Sequence, residues 1–307
     1  AEIAKVIVAK QTSLNNLCIE LSSHLRQTTK MSYCPTIYKY VFASGSTKKS
    51  KIARMSPNRK TPDHPTNPWI PFRLMPDSPS LVPPQPGRPL IVHVVVNVEC
   101  WPFDQPMPRT LLSAPHGRNP LPDIANFSWA EYGLRLGLPR IARVLAERGI
   151  VASAAMNAAI IDFYPRCAEL VVEQKWEIIG HGVFQRSLVA EPDERAVIER
   201  ALEMVRKYTG KTPRGWLGPG FGETPETPHI LREQGVDHIY DWMFDDIPCW
   251  IETRSGKMIA MPYALELNDV TIFAQERHPS PAFLERYRDT VEMLEPELAH
   301  SPRILTL

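Results

Sequence analysis

Three polar residues that could activate water follow predicted strands of this 307-residue chain. Asn97 and Glu99 lie at the end of residues 90–98, a nearly continuous apolar run, and His181 follows Glu177–Gly180. A carboxylate or an imidazole can take a proton from water, and an amide can orient the water. Because alternate residues of a strand face the same side, Asn97 and Glu99 are expected to point together. The alternatives are a strand-end cap or salt bridge, and a structural histidine.

Two further segments carry candidate substrate-binding groups. Arg214 and Trp216 lead into the glycine-rich loop Gly218-Pro219-Gly220, which lacks the lysine and spacing of a nucleotide P-loop but could cradle an anion. Arg214 is a candidate for holding a negative group, and Trp216 either stacks on a substrate or lies in the core. Asp245 and Asp246 form an acidic pair, although taken alone a turn before Pro248 explains them better.

The elements that would position these groups alternate between strand and helix at roughly thirty-residue spacing, which is typical of βα units. In such folds functional groups gather where the strands end. The sequence therefore predicts an α/β fold, either a parallel barrel or an open doubly wound sheet. The predicted strands are 90–98, 150–155, 177–180, 214–217, 238–242, 258–264 and 303–307, and the predicted helices include 138–148, 165–174, 192–208, 225–234 and 281–298.

Charge and proline content divide the chain into three parts. Residues 1–60 carry 11 basic and 2 acidic side chains, although the whole chain has a net charge of only +1. We interpret residues 1–60 as a basic N-terminal extension, with a non-native origin left open. Residues 61–88 are rich in proline and predict an extended wrap. Residues 89–307 form the α/β domain.

Composition excludes several classes of protein. The 5 cysteines are odd in number and none forms a Cys-x-x-Cys pair, which argues against a disulfide framework or a cysteine-based zinc site. No apolar run reaches the roughly 18 residues of a membrane span, and no secretory signal opens the chain. Basic stretches interleaved with aromatic residues are also missing over most of the N-terminal part. We expect a cytoplasmic homo-oligomer that binds neither nucleic acid nor membrane.

The motifs, taken together in their order and spacing, resemble the polysaccharide deacetylase (NodB-homology) superfamily. The similarity covers residues 89–307 and is strongest to the branch that contains metal-independent allantoinases and cytosolic deacetylases. It implies a distorted (β/α) barrel, a small-molecule amide, ureide or N-acetyl sugar as substrate, and hydrolysis of a non-peptide carbon–nitrogen bond. The motifs are Asn97-Val98-Glu99, Glu131-Tyr132-Gly133-Leu134-Arg135-Leu136-Gly137, Glu177-Ile178-Ile179-Gly180-His181-Gly182, Arg214-Gly215-Trp216 through Gly220, Asp245-Asp246-Ile247-Pro248, Met261-Pro262-Tyr263 and Asn268-Asp269.

The same resemblance bears on metal binding. Glu99 stands where metal-dependent members carry a metal-binding aspartate, and Asn97 where they carry the catalytic aspartate. His181 matches the first residue of the family's His-x-x-x-His motif, whereas Gln185 occupies the second position. Zinc normally takes three protein ligands from His, Cys, Asp or Glu, and a neutral amide is a poor substitute. We expect no metal cofactor; if zinc is bound, Glu99 and His181 are its ligands.

The interpretation that follows assigns roles residue by residue. Asn97, Glu99, His181 and Asp246 are the candidate catalytic residues, and Gln185, Arg214, Trp216 and Asp245 are the candidate substrate-binding residues. Two alternatives stay open. One is a zinc-dependent N-deacetylase of a carbohydrate, and the other is a catalytically inactive barrel that binds a ligand or partner, which the neutral side chains of Asn97 and Gln185 favour.

The resemblance also creates an expectation about the end of the chain. Similar deacetylases continue past a strand like residues 303–307 into a loop that bears a histidine, and then into a last helix. This sequence stops at Leu307. We therefore expect the chain as given to lack its last C-terminal segment and to be weak or silent in catalysis.

Overall fold

The structure, a computed structural model, describes residues 31–33, 70–75, 78–79, 81–107 and 121–307. Within these residues, short and mainly parallel strands alternate with helices, which confirms the α/β class expected from the sequence. The strands are β1 Met31–Tyr33, β2 Arg73–Leu74, β3 Leu90–His93, β4 Val95–Val98, β5 Ser153–Met156, β6 Glu177–Gly180, β7 Gly215–Trp216, β8 His238–Ile239, β9 Cys249–Thr253, β10 Gly256–Ala260 and β11 Arg303–Thr306.

The strands follow one another around a distorted barrel. The parallel ladder runs β4, β5, β6, β7, β8 and β10, while β11 pairs with β3. β3 and β4 are two halves of one apolar run that is interrupted at Val94, so the single strand expected over residues 90–98 is divided. No ladder joins β10 to β11 within the described part of the chain, and there the Thr306 hydroxyl donates to the carbonyl oxygen of Pro262 at 2.8 Å.

Local sequence signals explain where the helices begin and end. The Asp193 side chain accepts a hydrogen bond from the Ala196 amide at the start of α5, and Gly210 ends that helix with a φ of 75°. Asp123 caps α1 in the same way, by accepting a hydrogen bond from the Asn126 amide. The helices are α1 Ile124–Tyr132, α2 Leu138–Glu147, α3 Ile160–Phe163, α4 Pro165–Glu173, α5 Glu194–Thr209, α6 Thr227–Glu233 and α7 Pro281–Leu294, with a π-helical stretch Gly133–Gly137 between α1 and α2.

Three layers of side chains fill the inside of the barrel. The middle layer is apolar and includes Ala155, Ile179, Leu217 and Tyr240, each from a different strand or its end. Because side chains two residues apart on a strand share a face, Ser153 and His238 lie one layer toward the amino ends of the strands. Asn157 and His181 lie one layer toward the carboxyl ends. An apolar floor therefore separates two polar layers.

Three more strands, β9, β2 and β1, pair with the edges of these ladders. β9 and β10 form an antiparallel hairpin, of which only the second strand was expected from the sequence. β2 pairs with β9, so the proline-rich segment contributes a strand along the outside of this hairpin. β1, within the segment interpreted as an extension, pairs in parallel with β3; the other residues of 1–60 lie outside the described part of the chain. In that part, no helix is both long and apolar enough to cross a bilayer.

Candidate active site

Glu99, His181 and Gln185 meet where β4 and β6 end. The Gln185 amide nitrogen donates to Glu99 Oε1 at 3.0 Å, and His181 Nε2 lies 3.8 Å from the same oxygen. His181 Nδ1 bonds to the Leu217 carbonyl oxygen, which can only accept, so Nδ1 carries the hydrogen of the neutral ring. His181 Nε2 has no hydrogen-bond partner among the described residues, and its lone pair faces Glu99.

Exposure differs sharply between the two titratable groups. The Glu99 side chain is 26% exposed, whereas that of His181 is 2% exposed. A small molecule can therefore reach the carboxylate directly and meets only the edge of the imidazole. This is the geometry expected of a group that activates water beside a buried hydrogen-bond acceptor.

Asn157 holds the two loops of the site in register. Its side-chain oxygen accepts from the Cys100 amide at 2.8 Å, and its side-chain amide donates to the His181 carbonyl oxygen. The backbone amide of Gln185 donates to the Cys100 carbonyl oxygen at 2.9 Å. Asn157 is fully buried, so these bonds are shielded from water. Asn157 ends a predicted strand, and that position is the sequence signal that could have identified it.

Asn97 and Tyr263 lie on the side of the site nearest β10. Asn97 is exposed and hydrogen-bonds to the buried Tyr263 hydroxyl, which also accepts from the Asn268 side-chain amide at 3.2 Å. Burial raises the pKa of Tyr263 above its usual value, and the nearby negative charges of Asp269 and Glu99 act in the same direction. Tyr263 is therefore a neutral hydroxyl at the edge of the site.

The glycine-rich loop binds a carboxylate of its own chain. The Gly218 amide donates to both oxygens of Asp241, at 2.8 and 2.9 Å. A Cβ atom at position 218 would lie 2.6 Å from Asp241 Oδ1, so only glycine allows this approach. The loop that could cradle an anion thus cradles Asp241, which follows β8 as Glu99 follows β4.

Asp241 belongs to a buried pair with Glu223. Glu223 Oε2 accepts from the Trp242 indole at 2.9 Å, and Oε1 has no partner among the described residues. Burial raises the pKa of both carboxyls, and the charge of Asp241 raises that of Glu223 further. The hydrogen bonds from the Gly218 amide oppose the shift at Asp241. A proton on Glu223 Oε1, shared with Asp241, satisfies the pair.

Trp216 and Arg214 do not join this cluster. Trp216 is fully buried in the core outside the barrel, where a Cβ atom at Gly180 would lie 2.7 Å from its ring. Arg214 precedes β7 at the amino end of that strand, and its guanidinium donates to Asp237 at 2.5 Å. The expected substrate contacts of both residues therefore have no support in the geometry: one is a core residue and the other is ion-paired at the opposite end.

Asp245 and Asp246 are exposed in the loop between β8 and β9. Asp245 accepts from the Asp246 amide at 2.7 Å, and the Asp246 carbonyl oxygen accepts from the Ile304 amide at 3.0 Å. Burial and the Asp245 charge raise the pKa of Asp246, and Arg303 lowers it. These are turn and strand-edge contacts, and none joins the pair to Glu99 or His181.

The donor set does not fit a three-ligand zinc site. Among the described residues, no group of three or more His, Cys, Asp or Glu side chains is arranged to hold a metal ion. Glu99 and His181 are two suitable donors, but Gln185 turns its N–H toward Glu99 and acts as a hydrogen-bond donor. We therefore assign no step of the chemistry to a metal.

The fold and the site together define a distorted (β/α) barrel with a polar cluster at the carboxyl ends of its strands. No family model matches the sequence. The structure is similar to the crystal structure of the Puue allantoinase, with a TM-score of 0.61 and 24% identity over 74% of this chain and 80% of that chain. It is also similar to a "probable polysaccharide deacetylase" from Pseudomonas aeruginosa PAO1, with a TM-score of 0.59 and 22% identity over 71% and 77% of the two chains.

One curated relative extends the similarity to sequence. The peptidoglycan deacetylase of Helicobacter pylori (strain ATCC 700392 / 26695) is 21% identical over 136 residues, which are 44% of this chain and 46% of that protein. This chain thus matches less than half of the relative's length. The expected resemblance is confirmed as a shared fold with an allantoinase and a deacetylase, and those activities belong to the proteins that bear the names.

Proposed function

We propose that this protein is a hydrolase that cleaves a non-peptide carbon–nitrogen bond in an amide, ureide or N-acetyl group. The observation that carries the proposal is the pair formed by the reachable Glu99 carboxylate and the unpartnered His181 Nε2, 3.8 Å apart. Solvent reaches the carboxylate, and the buried Nε2 lies directly behind it. The names of the similar proteins, a deacetylase and an allantoinase, point to the same bond type.

The proposed reaction uses Glu99 as the general base. A water between Glu99 and His181 gives a proton to the carboxylate while its oxygen attacks the substrate carbonyl carbon. The Asn97 amide and the Tyr263 hydroxyl lie close enough to each other to bind the developing oxyanion. When the carbon–nitrogen bond breaks, the proton passes to the leaving nitrogen, and the products are an acid and an amine.

Other residues of the cluster position the base. Gln185 holds Glu99 Oε1 with a hydrogen bond from its side-chain amide. Asn157 fixes the backbone on both sides of the base–imidazole pair. Glu223 and Asp241 keep a shared proton within electrostatic reach of His181. Arg214, Trp216, Asp245 and Asp246 have no part in the proposed reaction.

The test compares the purified chain with Glu99→Gln and a control, Glu203→Gln, whose carboxylate is paired with Arg206 on the surface of α5. Each is assayed for ring opening of allantoin to its carboxylate, and for release of acetate and free amine from N-acetylglucosamine. We expect a loss of about 10²–10⁴-fold for Glu99→Gln only. No turnover by the unaltered chain, with ligand binding retained, would favour the inactive barrel instead.

A metal-content measurement separates the remaining alternative. We propose that the chain works without a tightly held metal, because its donor set supplies two ligands. Elemental analysis is expected to give far less than one zinc per chain. One zinc per chain that is lost in Glu99→Ala, with activity restored by added zinc, would favour the metal-dependent N-deacetylase.

We further propose that the protein works as a homo-oligomer in the cytoplasm. All three cysteines in the described residues, Cys100, Cys167 and Cys249, are free thiols, as is usual in a reducing compartment. Light scattering at several protein concentrations measures the oligomeric state, and a constant monomer mass would contradict the proposal.

A further inference from the structure

A cleft of about 690 Å³ lies beside the candidate active site, within the size range of small-molecule sites. Its walls come from the loops that follow β4 and β6, and from α1, α3 and α5. Six aromatic side chains line it: Trp101, Phe103, Phe127, Phe163, Tyr164 and Phe184.

Two of the six aromatic side chains of this cleft are exposed. Phe103 is 50% exposed and Phe163 is 64% exposed, unusually high fractions for phenylalanine. Phe103 meets Phe127 edge to face at 4.9 Å between ring centres, and Phe163 lies 6.0 Å from Phe184. Rings from four separate segments thus present apolar surface to one space, as a ligand-binding groove does.

The cleft shares its loops with the site. Cys100 lines the cleft and directly follows Glu99, while Phe184 lines it and directly precedes Gln185. The hydrogen bond from the backbone amide of Gln185 to the Cys100 carbonyl oxygen joins the two loops. The cleft and the candidate active site are therefore formed by the same two loops.

The rim of the cleft carries both signs of charge. Arg186 is ion-paired with Glu191 at 3.3 Å, which leaves Asp104 and Arg200 without an ion pair among the described residues. An exposed guanidinium is well suited to a carboxylate. Asp104 would repel a ligand with several negative charges, so one carboxylate is the best match.

We propose that the cleft binds the aromatic part of the substrate and that Arg200 binds its carboxylate. The substrate class is then an N-acylated amine that bears an aromatic ring and one carboxylate, such as an N-acyl aromatic amino acid. This inference rests on the proposed hydrolase function for its chemistry, although binding itself can be measured without turnover.

The experiment measures binding by calorimetry to Glu99→Gln, in which turnover is suppressed. The ligands are N-acetylphenylalanine, acetanilide, which lacks the carboxylate, and N-acetylglucosamine, which lacks the aromatic ring. We expect N-acetylphenylalanine to bind at least tenfold more tightly than either of the others, since aromatic contacts and charge-assisted hydrogen bonds each contribute about 1 kcal/mol or more.

Cleft variants are added to the same background. Phe103→Ala with Phe163→Ala should weaken both aromatic ligands by about tenfold, and Arg200→Ala should remove the preference for N-acetylphenylalanine over acetanilide. The matched controls are Met293→Ala, an exposed apolar side chain on α7, and Arg143→Ala, an exposed arginine on α2. Both controls should bind like the parent.

The outcomes separate the two proposals. Equal binding of the sugar and the aromatic ligands, no binding of any ligand, or binding that the cleft variants leave unchanged would overturn the cleft assignment. Tight, cleft-dependent binding of N-acetylphenylalanine without its hydrolysis by the unaltered chain would support the cleft and refute the hydrolase. Hydrolysis of other amides at rates that the cleft variants leave unchanged would support the hydrolase and refute the cleft assignment.

Discussion

Two polar layers inside one barrel contain buried histidines, and their surroundings differ. Toward the amino ends of the strands, His93 Nε2 bonds to the Ser153 hydroxyl at 2.9 Å, and His93 and His238 are each 1% exposed. Toward the carboxyl ends, His181 is almost as buried, yet its Nε2 faces the exposed carboxylate of Glu99. The apolar layer that includes Tyr240 separates the two sets.

The comparison shows that burial alone does not distinguish a structural histidine from a functional one. Burial lowers the pKa of His93 to about 4 and that of His238 to about 3, so both rings are neutral at pH 7. The hydrogen-bond partner of His93, Ser153, is itself buried. His181 differs because it shares an open edge with a carboxylate, and this contact with the outside makes it a candidate for chemistry.

The largest expected effect is on activity, and it separates the two layers directly. His181→Ala should reduce turnover by about 10²–10⁴-fold, because it removes the acceptor beside Glu99. His93→Ala should leave turnover within a fewfold, because its ring lies below the apolar layer. Both remove a buried imidazole and one hydrogen bond, so both should lower the free energy of unfolding by roughly 1–3 kcal/mol.

Parallel assays and urea unfolding of the two variants check this contrast. Equal losses of activity at equal losses of stability would show that His181 acts only through the fold. In that case the distinction between the layers fails.

The second effect concerns the loss of folding stability at acidic pH. The histidines of the polar layer toward the amino ends of the strands should cause most of it. The unfolded chain protonates these histidines near pH 6.5, whereas folded His93 resists protonation until about pH 4. The free energy of unfolding should therefore be highest above pH 6.5 and fall as the pH is lowered toward 4. At about 1.4 kcal/mol per tenfold change in proton affinity, His93 contributes up to about 3 kcal/mol to this fall.

Urea unfolding between pH 7 and 4 measures the dependence. His93→Gln keeps a neutral hydrogen-bonding side chain next to Ser153, so it should reduce the slope. A slope that is the same in the variant would assign the acid sensitivity to other groups.

A smaller effect is expected at Asn157. This residue positions the backbone around Glu99 and His181 and is not proposed to contact the substrate. Asn157→Ala should cost roughly 1–3 kcal/mol, because the Cys100 amide and the His181 carbonyl oxygen lose a buried partner. Turnover should fall while the KM stays within a fewfold, since the loop backbone shifts and no substrate contact is removed. A large rise in KM with kcat unchanged would instead indicate direct substrate binding.

The smallest effect is expected at Arg214, which lies at the amino end of the barrel. Its ion pair with Asp237 is half exposed, so Arg214→Ala should change the free energy of unfolding by less than about 1 kcal/mol. Activity should be unchanged on every substrate. A tenfold or greater rise in KM would restore the substrate-binding role that the sequence suggested.

The sequence predicted the order of strands and helices well, because β-branched runs and glycine or proline punctuation mark them clearly. Alternation placed Asn97 and Glu99 correctly on one face of the barrel. Alternation left the position of Trp216 open, because β7 consists only of Gly215 and Trp216, and either could face inward. The choice is made by His238: a Cβ atom at Gly215 would lie 2.4 Å from its Nε2, so glycine must take the inner position.

A related reason applies to the acidic loop. β9 carries no clean alternation of apolar and polar residues, so the hairpin it forms with β10 was missed. The chain after Asp241 therefore turns back along the barrel wall instead of continuing over the mouth. Asp245 and Asp246 therefore lie beside β11, and Asp241 is the acidic residue that follows the end of β8. Contacts between distant segments decided these points, and a single sequence does not contain them.

The backbone hydrogen bond from Gln185 to Cys100 also makes the opening of the site measurable by hydrogen exchange. The backbone amide of Gln185 is bonded to the Cys100 carbonyl oxygen, and that of Cys100 is bonded to the Asn157 side chain. Each amide hydrogen can exchange with deuterium only when its loop moves away from that partner. Their exchange rates therefore report how often the loops part in the resting protein. Ligands that span the site should slow both amides together, which allows screening by mass spectrometry before any reaction has been found.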